Sequence, residues 1–278
     1  MVACTVRSTA SRTASGISWV IGRRLAMGSR VSHIVPAVPE AGTPAPIHLK
    51  LAAPLAERVL LPGDPHRALG VAQHVLERPR MLNHQRALWG YTGTAHDGEP
   101  LSVQATGMGG PSAAIVVEEL IALGARTLVR IGTCGALDPD LALGDLLVAS
   151  AALPADGASR ALGGPGIVEA DRELTAALMK AGAGRSGTVV SHDLFYDDRA
   201  GVASVWRARG ALAVEMETAT LLRLSELRGV RAASLLAVSD LLNAGGPDAA
   251  IAHRERIGRE ELEAAGLRLG AVAVAALL

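Results

Sequence analysis

Three separated segments of the chain carry residues suited to holding a phosphate beside a ribose. Residues 60–67 (LLPGDPHR) place an arginine after a Gly-Asp-Pro turn, and residues 106–136 carry a glycine-rich turn, then Arg130 and a predicted Gly-Thr-Cys-Gly turn over residues 132–135. Residues 214–218 (VEMET) place two glutamates on either side of a methionine. Arginine supplies planar bidentate donors, and glycine lets backbone N–H groups approach an oxyanion closely. Together the segments favour phosphorolysis of a nucleoside.

The charge and cysteine content exclude several classes of protein. The 278 residues include 27 basic and 27 acidic side chains, which argues against a general nucleic-acid or anionic-membrane footprint. Cys4 and Cys134 cannot build a disulfide framework, and no Cys/His cluster has the spacing of metal ligands. No apolar run reaches the roughly 20 residues needed to span a bilayer. We therefore expect a soluble, cytoplasmic protein with no metal, no membrane partner and no nucleic-acid partner.

The first 39 residues differ in composition from the rest. They are rich in Ser and Thr, have no acidic residue before Glu40, and carry five arginines: Arg7, Arg12, Arg23, Arg24 and Arg30. This composition is compatible with a mitochondrial presequence. We favour the alternative, the arginine bias of a GC-rich bacterial genome with Met27 as the true start. Because prolines between residues 36 and 46 disfavour regular structure, we predict a disordered extension over 1–43 and one domain over 44–278.

Apolar runs alternate with helical patterns along this domain. We predict strands over residues 58–61, 101–106, 127–131, 145–150, 188–191, 211–214 and 232–238. We predict helices that open at Pro65 and over residues 111–123, 171–182, 216–228 and 255–277, with Gly124 as a cap. Such alternation indicates an α/β fold with a mixed, largely parallel sheet covered on both faces. Ligands bind beyond the carboxyl ends of such strands, and the three segments fall at such ends.

Seven short motifs occur in an order that resembles the hexameric-type nucleoside phosphorylases. They are GDPHR, NHQR followed by GYTG, TGMGGPS, RIGTCGA, DLFY, VEME and VSD, and the match runs from about residue 47 to the C-terminus. The resemblance implies a mixed sheet that closes into a distorted barrel flanked by helices. It also implies dimers that assemble to a hexamer with shared active sites. Inorganic phosphate would be a co-substrate, with no cofactor and no metal.

The resemblance also assigns roles to individual side chains. The phosphate ligands would be Gly63, Arg67, Arg130 and Thr133, with Arg86 from the adjacent subunit. The nucleoside ligands would be Met216 and Glu217 at the ribose, Glu215 as a secondary ligand, Phe195 against the base, and the neighbour's His48 at the 5′-hydroxyl. Asp240 would be the general acid at purine N7, assisted by an arginine for which we choose Arg254 over Arg256.

Each of these residues also has an ordinary structural interpretation. The turn at 107–110 is common in α/β packing, and His48 is a lone histidine that by itself indicates a surface residue. Arg86 could cap a helix or solvate a turn, Glu215 could be a buried pairing group, and Asp240 could N-cap the following segment. Cys134 is interpreted as a packing residue, since no partner suggests an activated thiolate.

The sequence gives mixed signals about the substrate. Residues 117–133 and 156–159 look like the uridine branch, whereas the stretch between residues 195 and 214 lacks that branch's longer insertion. Asp240 matches the purine branch, so we favour a purine nucleoside, with uridine as the alternative and Arg199 as its carbonyl ligand. A methylthioadenosine/S-adenosylhomocysteine-type nucleosidase is a second alternative, and a non-catalytic nucleoside-binding relative a third. The phosphate arginines disfavour the nucleosidase. The retained Glu217 and Asp240 disfavour the non-catalytic relative.

Overall fold

A computed structural model describes residues 46–163, 166–242 and 255–278. The predicted extension over 1–43 and the predicted catalytic Arg254 lie outside the described residues. Eleven strands are described: β1 Arg58–Leu61, β2 Glu77–Asn83, β3 Gly90–Thr94, β4 Pro100–Gln104, β5 Thr127–Ala136, β6 Leu146–Pro154, β7 Val168–Glu169, β8 Arg185–Ser191, β9 Ala211–Glu215, β10 Arg231–Leu241 and β11 Glu255–Arg256. Seven α-helices accompany them: α1 Pro65–Val75, α2 Gly110–Ala122, α3 Gly157–Ala161, α4 Arg172–Lys180, α5 Val202–Ala208, α6 Thr218–Arg228 and α7 Arg259–Ala276.

Five of the strands close into a barrel. The strand order around the barrel is β5, β10, β6, β8 and β9, and pairing of β9 with β5 closes it. The pairs β5–β10, β6–β8 and β8–β9 are parallel, whereas β10–β6 and β9–β5 are antiparallel. β1, β4, β3 and β2 extend the sheet outward from β5. The predicted mixed α/β sheet that closes into a barrel with flanking helices is confirmed.

Strand β5 is longer than the sequence pattern indicated. We predicted a strand that stops at residue 131 and a turn over residues 132–135, but the strand continues to Ala136 and that turn prediction is wrong. Its first half pairs with β1 and its last two residues pair with β9, while β10 follows its other edge. The glycines serve close packing within the strand. A Cβ at Gly135 would lie 3.0 Å from the Leu242 side chain.

Two buried hydrophobic clusters cover the opposite faces of the central strands. One contains apolar side chains of α2 and α6, and the other contains those of α1 and α7. Leu128 belongs to the first cluster, whereas Val129 and Ile131 belong to the second. Because neighbouring residues of a strand point to opposite faces, this alternation buries both sides of β5. The central strands are therefore held rigidly between two helical layers.

Helices α1 and α7 pack unusually closely. A Cβ at Gly270 of α7 would lie 2.7 Å from Val71 of α1, and a Cβ at Gly266 would lie 3.5 Å from the Arg67 stem. Glycine is required at position 270 because a larger side chain would force the helices apart. The close packing fixes the first turn of α1, which carries Arg67.

Within the described ranges, no helix combines the length and hydropathy that crossing a membrane requires.

Candidate active site

A cleft of about 290 Å³ opens where the carboxyl ends of β1, β5, β9 and β10 meet. Nine of the predicted site residues line it: Gly63, Arg67, Arg130, Thr133, Phe195, Glu215, Met216, Glu217 and Asp240. A second depression, of about 370 Å³, lies over β6, β7 and α4, and none of the predicted residues lines it. The chemically suited side chains therefore converge in one place, at the strand ends where the sequence indicated a ligand.

Arg130 is the central cation of the cleft. It projects from β5, its side chain is only 6% exposed, and it contacts two carboxylates. Nε donates to Glu215 Oε2 at 3.0 Å, and the second amino group lies 2.5 Å from Glu217 Oε2. Burial opposes the charged form, but Glu217 and Glu215 outweigh it and raise the pKa of Arg130. The guanidinium is fixed and positively charged.

Glu215 orients the site from within the protein. Its side chain is fully buried, and its carboxylate accepts hydrogen bonds from Arg130, the Ser191 hydroxyl and the backbone N–H groups of Glu217 and Thr218. These donors occupy both oxygens at the start of α6. The alternative interpretation of Glu215 as a buried pairing group therefore fits its contacts better than direct ribose binding.

Glu217 keeps acceptor capacity toward the cleft. Gly109 N–H donates to Oε1 at 2.5 Å, and Arg130 contacts Oε2. Burial raises the pKa of Glu217, the adjacent Arg130 lowers it, and Glu215 raises it further, so that the pKa lies above its usual value. A carboxylate has about four lone-pair sites, and one protein donor at each oxygen leaves room for two hydroxyl donors.

The glycine-rich turn brings backbone into the site. Gly107 and Gly109 both have positive φ, 73° and 86°, in the left-handed region that favours glycine. A Cβ at Gly63 would lie 3.3 Å from the Gly107 carbonyl oxygen, so two strand-end turns approach each other closely. The turn thereby delivers the N–H of Gly109 to Glu217.

Arg67 is the second cation at the cleft. It lies in the first turn of α1, where the Asp64 side chain caps the helix and accepts from His66 N–H at 2.7 Å. Burial lowers the pKa of Arg67, the nearby Asp64 raises it and Arg130 lowers it. Two arginines near one another favour a bound anion, because an anion between them relieves their repulsion.

Asp240 lines the cleft near the carboxyl end of β10. The Ser239 hydroxyl donates to Oδ2 at 2.7 Å, and Arg256 Nε lies 2.9 Å from Oδ1. The pairing of β10 with β5 shifts register between Val238 and Asp240, and such an irregularity re-aims a side chain. Arg256 also lies over the Phe195 ring, 5.9 Å from its centroid. Arg256 therefore contacts Asp240, whereas Arg254 lies outside the described residues.

His48 and Arg86 are not among the residues that line this chain's cleft. His48 Nδ1 lies 2.6 Å from Glu119 Oε1, and Glu119 also accepts from the backbone N–H groups of His48 and Leu49. Arg86 is exposed in a short turn, and both it and Ala87 have φ of 56°. Paired left-handed residues other than glycine store strain that is often found at functional sites. The contribution of both side chains to a neighbour's site stays a prediction.

Cys134 and Arg199 make contacts that indicate structural roles. Cys134 is buried with its thiol 3.7 Å from the Ala237 carbonyl, and burial raises its pKa, as expected of a packing residue. Arg199 forms a bidentate pair with Asp197, with Nε 2.8 Å from one oxygen and the terminal nitrogen 2.5 Å from the other. Nε and one terminal nitrogen are directed to Asp197, and Arg199 does not line the cleft.

His192 is a cleft residue that the sequence interpretation missed. It directly precedes the DLFY motif, follows the last residue of β8 and is 7% exposed. Its Nε2 lies 3.0 Å from Asp197 Oδ2, and its ring packs edge-on against Trp206 with centroids 4.9 Å apart. A polar residue at the carboxyl end of a buried strand was the signal that could have identified it.

Comparisons with known proteins agree with this geometry. The family model described as Phosphorylase superfamily matches residues 57–275. The chain is 42% identical over 199 residues to a purine nucleoside phosphorylase DeoD-type of Geobacillus kaustophilus, an alignment that covers 69% of this chain and 84% of the relative. It is 40% identical over 200 residues to a protein of the same name from Caldanaerobacter subterraneus subsp. tengcongensis, with 69% and 85% covered. The chain belongs to the phosphorylase superfamily.

Proposed function

We propose that the protein catalyses phosphorolysis of purine nucleosides to the free base and ribose or deoxyribose 1-phosphate. The observation that carries this proposal is one cleft that combines the Arg130–Glu217 pair with Asp240. A buried arginine suits a phosphate anion, a buried glutamate suits sugar hydroxyls, and an aspartate suits a base that leaves as an anion. The curated relatives named as purine nucleoside phosphorylases support the choice of a purine.

At the anion end, Arg67 and Arg130 hold the phosphate together with Gly63 and Thr133. Arg130 is already oriented by Glu215 and Glu217, so no large rearrangement is needed when phosphate arrives. Arg86 of an adjacent subunit completes the set. Glu215 acts through Arg130 as a positioning residue, because its own oxygens accept from protein donors.

Glu217 accepts hydrogen bonds from the ribose hydroxyls while Met216 packs against the sugar. The neighbour's His48 contacts the 5′-hydroxyl, and Phe195 lies against the base. As the C1′–N9 bond breaks, its electron pair moves to the purine and the sugar gains oxocarbenium character. A phosphate oxygen then forms the new bond to C1′.

Asp240 donates its proton to purine N7 as the bond breaks. Arg256, 2.9 Å away, stabilises the aspartate anion that remains. The arginine predicted for this role, Arg254, is retained as the competing candidate. Inorganic phosphate is the co-substrate, and no cofactor enters this scheme.

Uridine phosphorolysis is the alternative. It would need a contact to the pyrimidine carbonyls, and the residue suggested for that contact, Arg199, is paired with Asp197. Hydrolysis by a nucleosidase is the second alternative, and it gives no role to a second cation, Arg67, in the cleft where Arg130 already pairs with Glu215 and Glu217. Both alternatives fit the cleft less well than phosphorolysis of a purine nucleoside.

The direct experiment measures base release from inosine, adenosine and uridine with and without phosphate. We expect release from at least one purine nucleoside that depends on phosphate. Release without phosphate would favour a nucleosidase, and preference for uridine would favour the pyrimidine alternative. No turnover of any of the three nucleosides would contradict the proposed function. A phosphate titration then gives the KM for the anion.

We also propose a cytoplasmic homo-oligomer, dimers assembling to a hexamer, with shared active sites formed by the domain over residues 44–278. Mixing inactive Arg86→Ala with inactive Glu217→Ala should restore part of the activity once subunits exchange. Each defect then falls in a different site, which leaves some sites intact. Exchange is monitored by native mass spectrometry, and exchange without recovered activity would contradict shared sites.

A further inference from the structure

His192 has no role in the proposed chemistry, although its position in the cleft is well defined. Its backbone N–H donates to the Glu215 carbonyl at 2.9 Å, which ties it to the segment that carries Val214 and Met216. Leu194, Phe195 and Val214 line the same cleft. These apolar side chains suit the flat faces of a nucleobase. His192 therefore lies beside the surface that the base would occupy.

The tautomer of His192 follows from its contact with Asp197. Asp197 is 1% exposed and accepts two bonds from Arg199, and these bonds hold the pKa of Asp197 well below its usual range. An ionised carboxylate can only accept hydrogen bonds. The proton shared between the ring and Asp197 consequently lies on Nε2, which donates over 3.0 Å. In the neutral ring, Nδ1 is then an acceptor.

Nδ1 is buried, and it has no hydrogen-bond partner in the described part of the chain. The ring cannot easily turn to find one, since Asp197 holds Nε2 and Trp206 packs against the ring at an interplanar angle of 61°. Buried polar atoms in folded proteins are nearly always paired, with protein, water or ligand. Because His192 lines the cleft, a molecule bound there is the candidate partner for this acceptor.

We infer that His192 determines base specificity by accepting a hydrogen bond at Nδ1 from an N–H group of the purine. This inference rests on the proposed function. The donor is the ring N1–H of a 6-oxopurine or the exocyclic amine of a 6-aminopurine. Both groups are N–H donors that belong to the six-membered ring or are attached to it, and unsubstituted purine riboside lacks both. His192 and Asp240 thus recognise the base through separate polar contacts.

Two amide variants test the two ring nitrogens separately. His192→Gln places an amide N–H near the original Nε2 and removes the acceptor, while His192→Asn places an amide oxygen near the original Nδ1 and removes the Asp197 contact. We measure kcat/KM for inosine, adenosine and purine riboside in the wild type and both variants. His192→Gln should lose about three- to tenfold on inosine or adenosine with little change on purine riboside. His192→Asn should keep the wild-type preference.

An equal loss on all three substrates in His192→Gln, or an unchanged preference, would overturn the role of His192. If neither variant folds, competitive inhibition of the wild type by purine, adenine and hypoxanthine provides the test. Adenine or hypoxanthine should bind about three- to tenfold more tightly than purine, and the one that does identifies the donor. Equal binding would overturn the inference. Absence of phosphorolysis by the wild type would instead overturn the proposed function and this inference together.

Discussion

The two ends of the cleft are built in different ways. At the anion end, Arg130 and Glu217 are 6% and 7% exposed and pair with each other in the cleft. At the base end, Asp240 is buried but its partner Arg256 is 59% exposed. Buried pairs depend strongly on each member, whereas exposed charges are screened by water. The comparison indicates that the fold itself fixes the cation at the phosphate and ribose end, while Asp240 at the base end takes its cationic partner from the protein surface.

The largest effect is expected at the base end, on the rate. Asp240→Asn keeps the size of the side chain but removes the proton, and kcat for inosine or adenosine should fall by about 10²–10⁴-fold. Arsenolysis should fall in parallel, since the same bond breaks. Steady-state kinetics with each anion test this, and circular dichroism checks the fold. Wild-type rates on purine nucleosides would contradict general acid catalysis by Asp240.

The next effect concerns stability at the anion end. Arg130→Ala leaves Glu215 and Glu217 as buried carboxylates without their cation, so the free energy of unfolding should fall by about 3–5 kcal/mol. Urea denaturation measures the loss. Arg228→Ala is the matched control, because Arg228 pairs with Glu118 at the surface and should contribute no more than about 1 kcal/mol. Similar losses in both variants would remove the distinction between buried and exposed pairs.

A single methyl group tests how rigidly Arg130 is held. A Cβ at Gly132 would lie 2.7 Å from the Arg130 guanidinium carbon, so Gly132→Ala should cost about 1–3 kcal/mol and raise the KM for phosphate. Gly70→Ala is the control, since the nearest side-chain atom to a Cβ there, on Leu267, is 3.9 Å away. Thermal unfolding and phosphate titration provide the two readouts. An unchanged KM for phosphate would show that Arg130 can move aside.

The smallest effect on stability is expected from Arg256→Ala. Because Arg256 is mostly exposed, its loss should change the free energy of unfolding by less than about 1 kcal/mol. We expect kcat for purine nucleosides to fall, though less than in Asp240→Asn, because the acid remains. Arg254→Ala is the matched comparison in the same kinetic assay. A lower kcat in Arg254→Ala with an unchanged Arg256→Ala would return the assisting role to Arg254.

Local sequence signals identified the elements that carry the anion end. A short apolar run ended by Pro62-Gly63 predicted β1, and the following proline predicted the start of α1; both are confirmed. The cap at Gly124 is also confirmed by its φ of 112° after α2. These features depend on backbone conformation within a few residues, which is why sequence alone sufficed.

Other features depend on partners that are distant in the sequence. β2 (ERPRMLN) has five exposed residues out of seven and no apolar alternation, so it becomes a strand only through pairing with β3. The continuation of β5 past residue 131 is set by β9 and β10. In the site, convergence of the strand ends was predictable. Two features were not predictable: the protein donors that bind both carboxylate oxygens of Glu215, and the contact of His192 with Asp197. Both are tertiary contacts.

The closure of the barrel has a consequence for how the protein is made. Arg130 and Glu215 are 85 positions apart in the chain, and Gly109 and Glu217 are 108 apart. Contacts between such distant residues form late, because closing a long loop costs chain entropy before any contact forms. On the ribosome, β5 emerges well before β9 and β10 exist to pair with it. A nascent chain therefore exposes an apolar strand whose arginine has not yet met its carboxylates, and such exposure favours aggregation during synthesis.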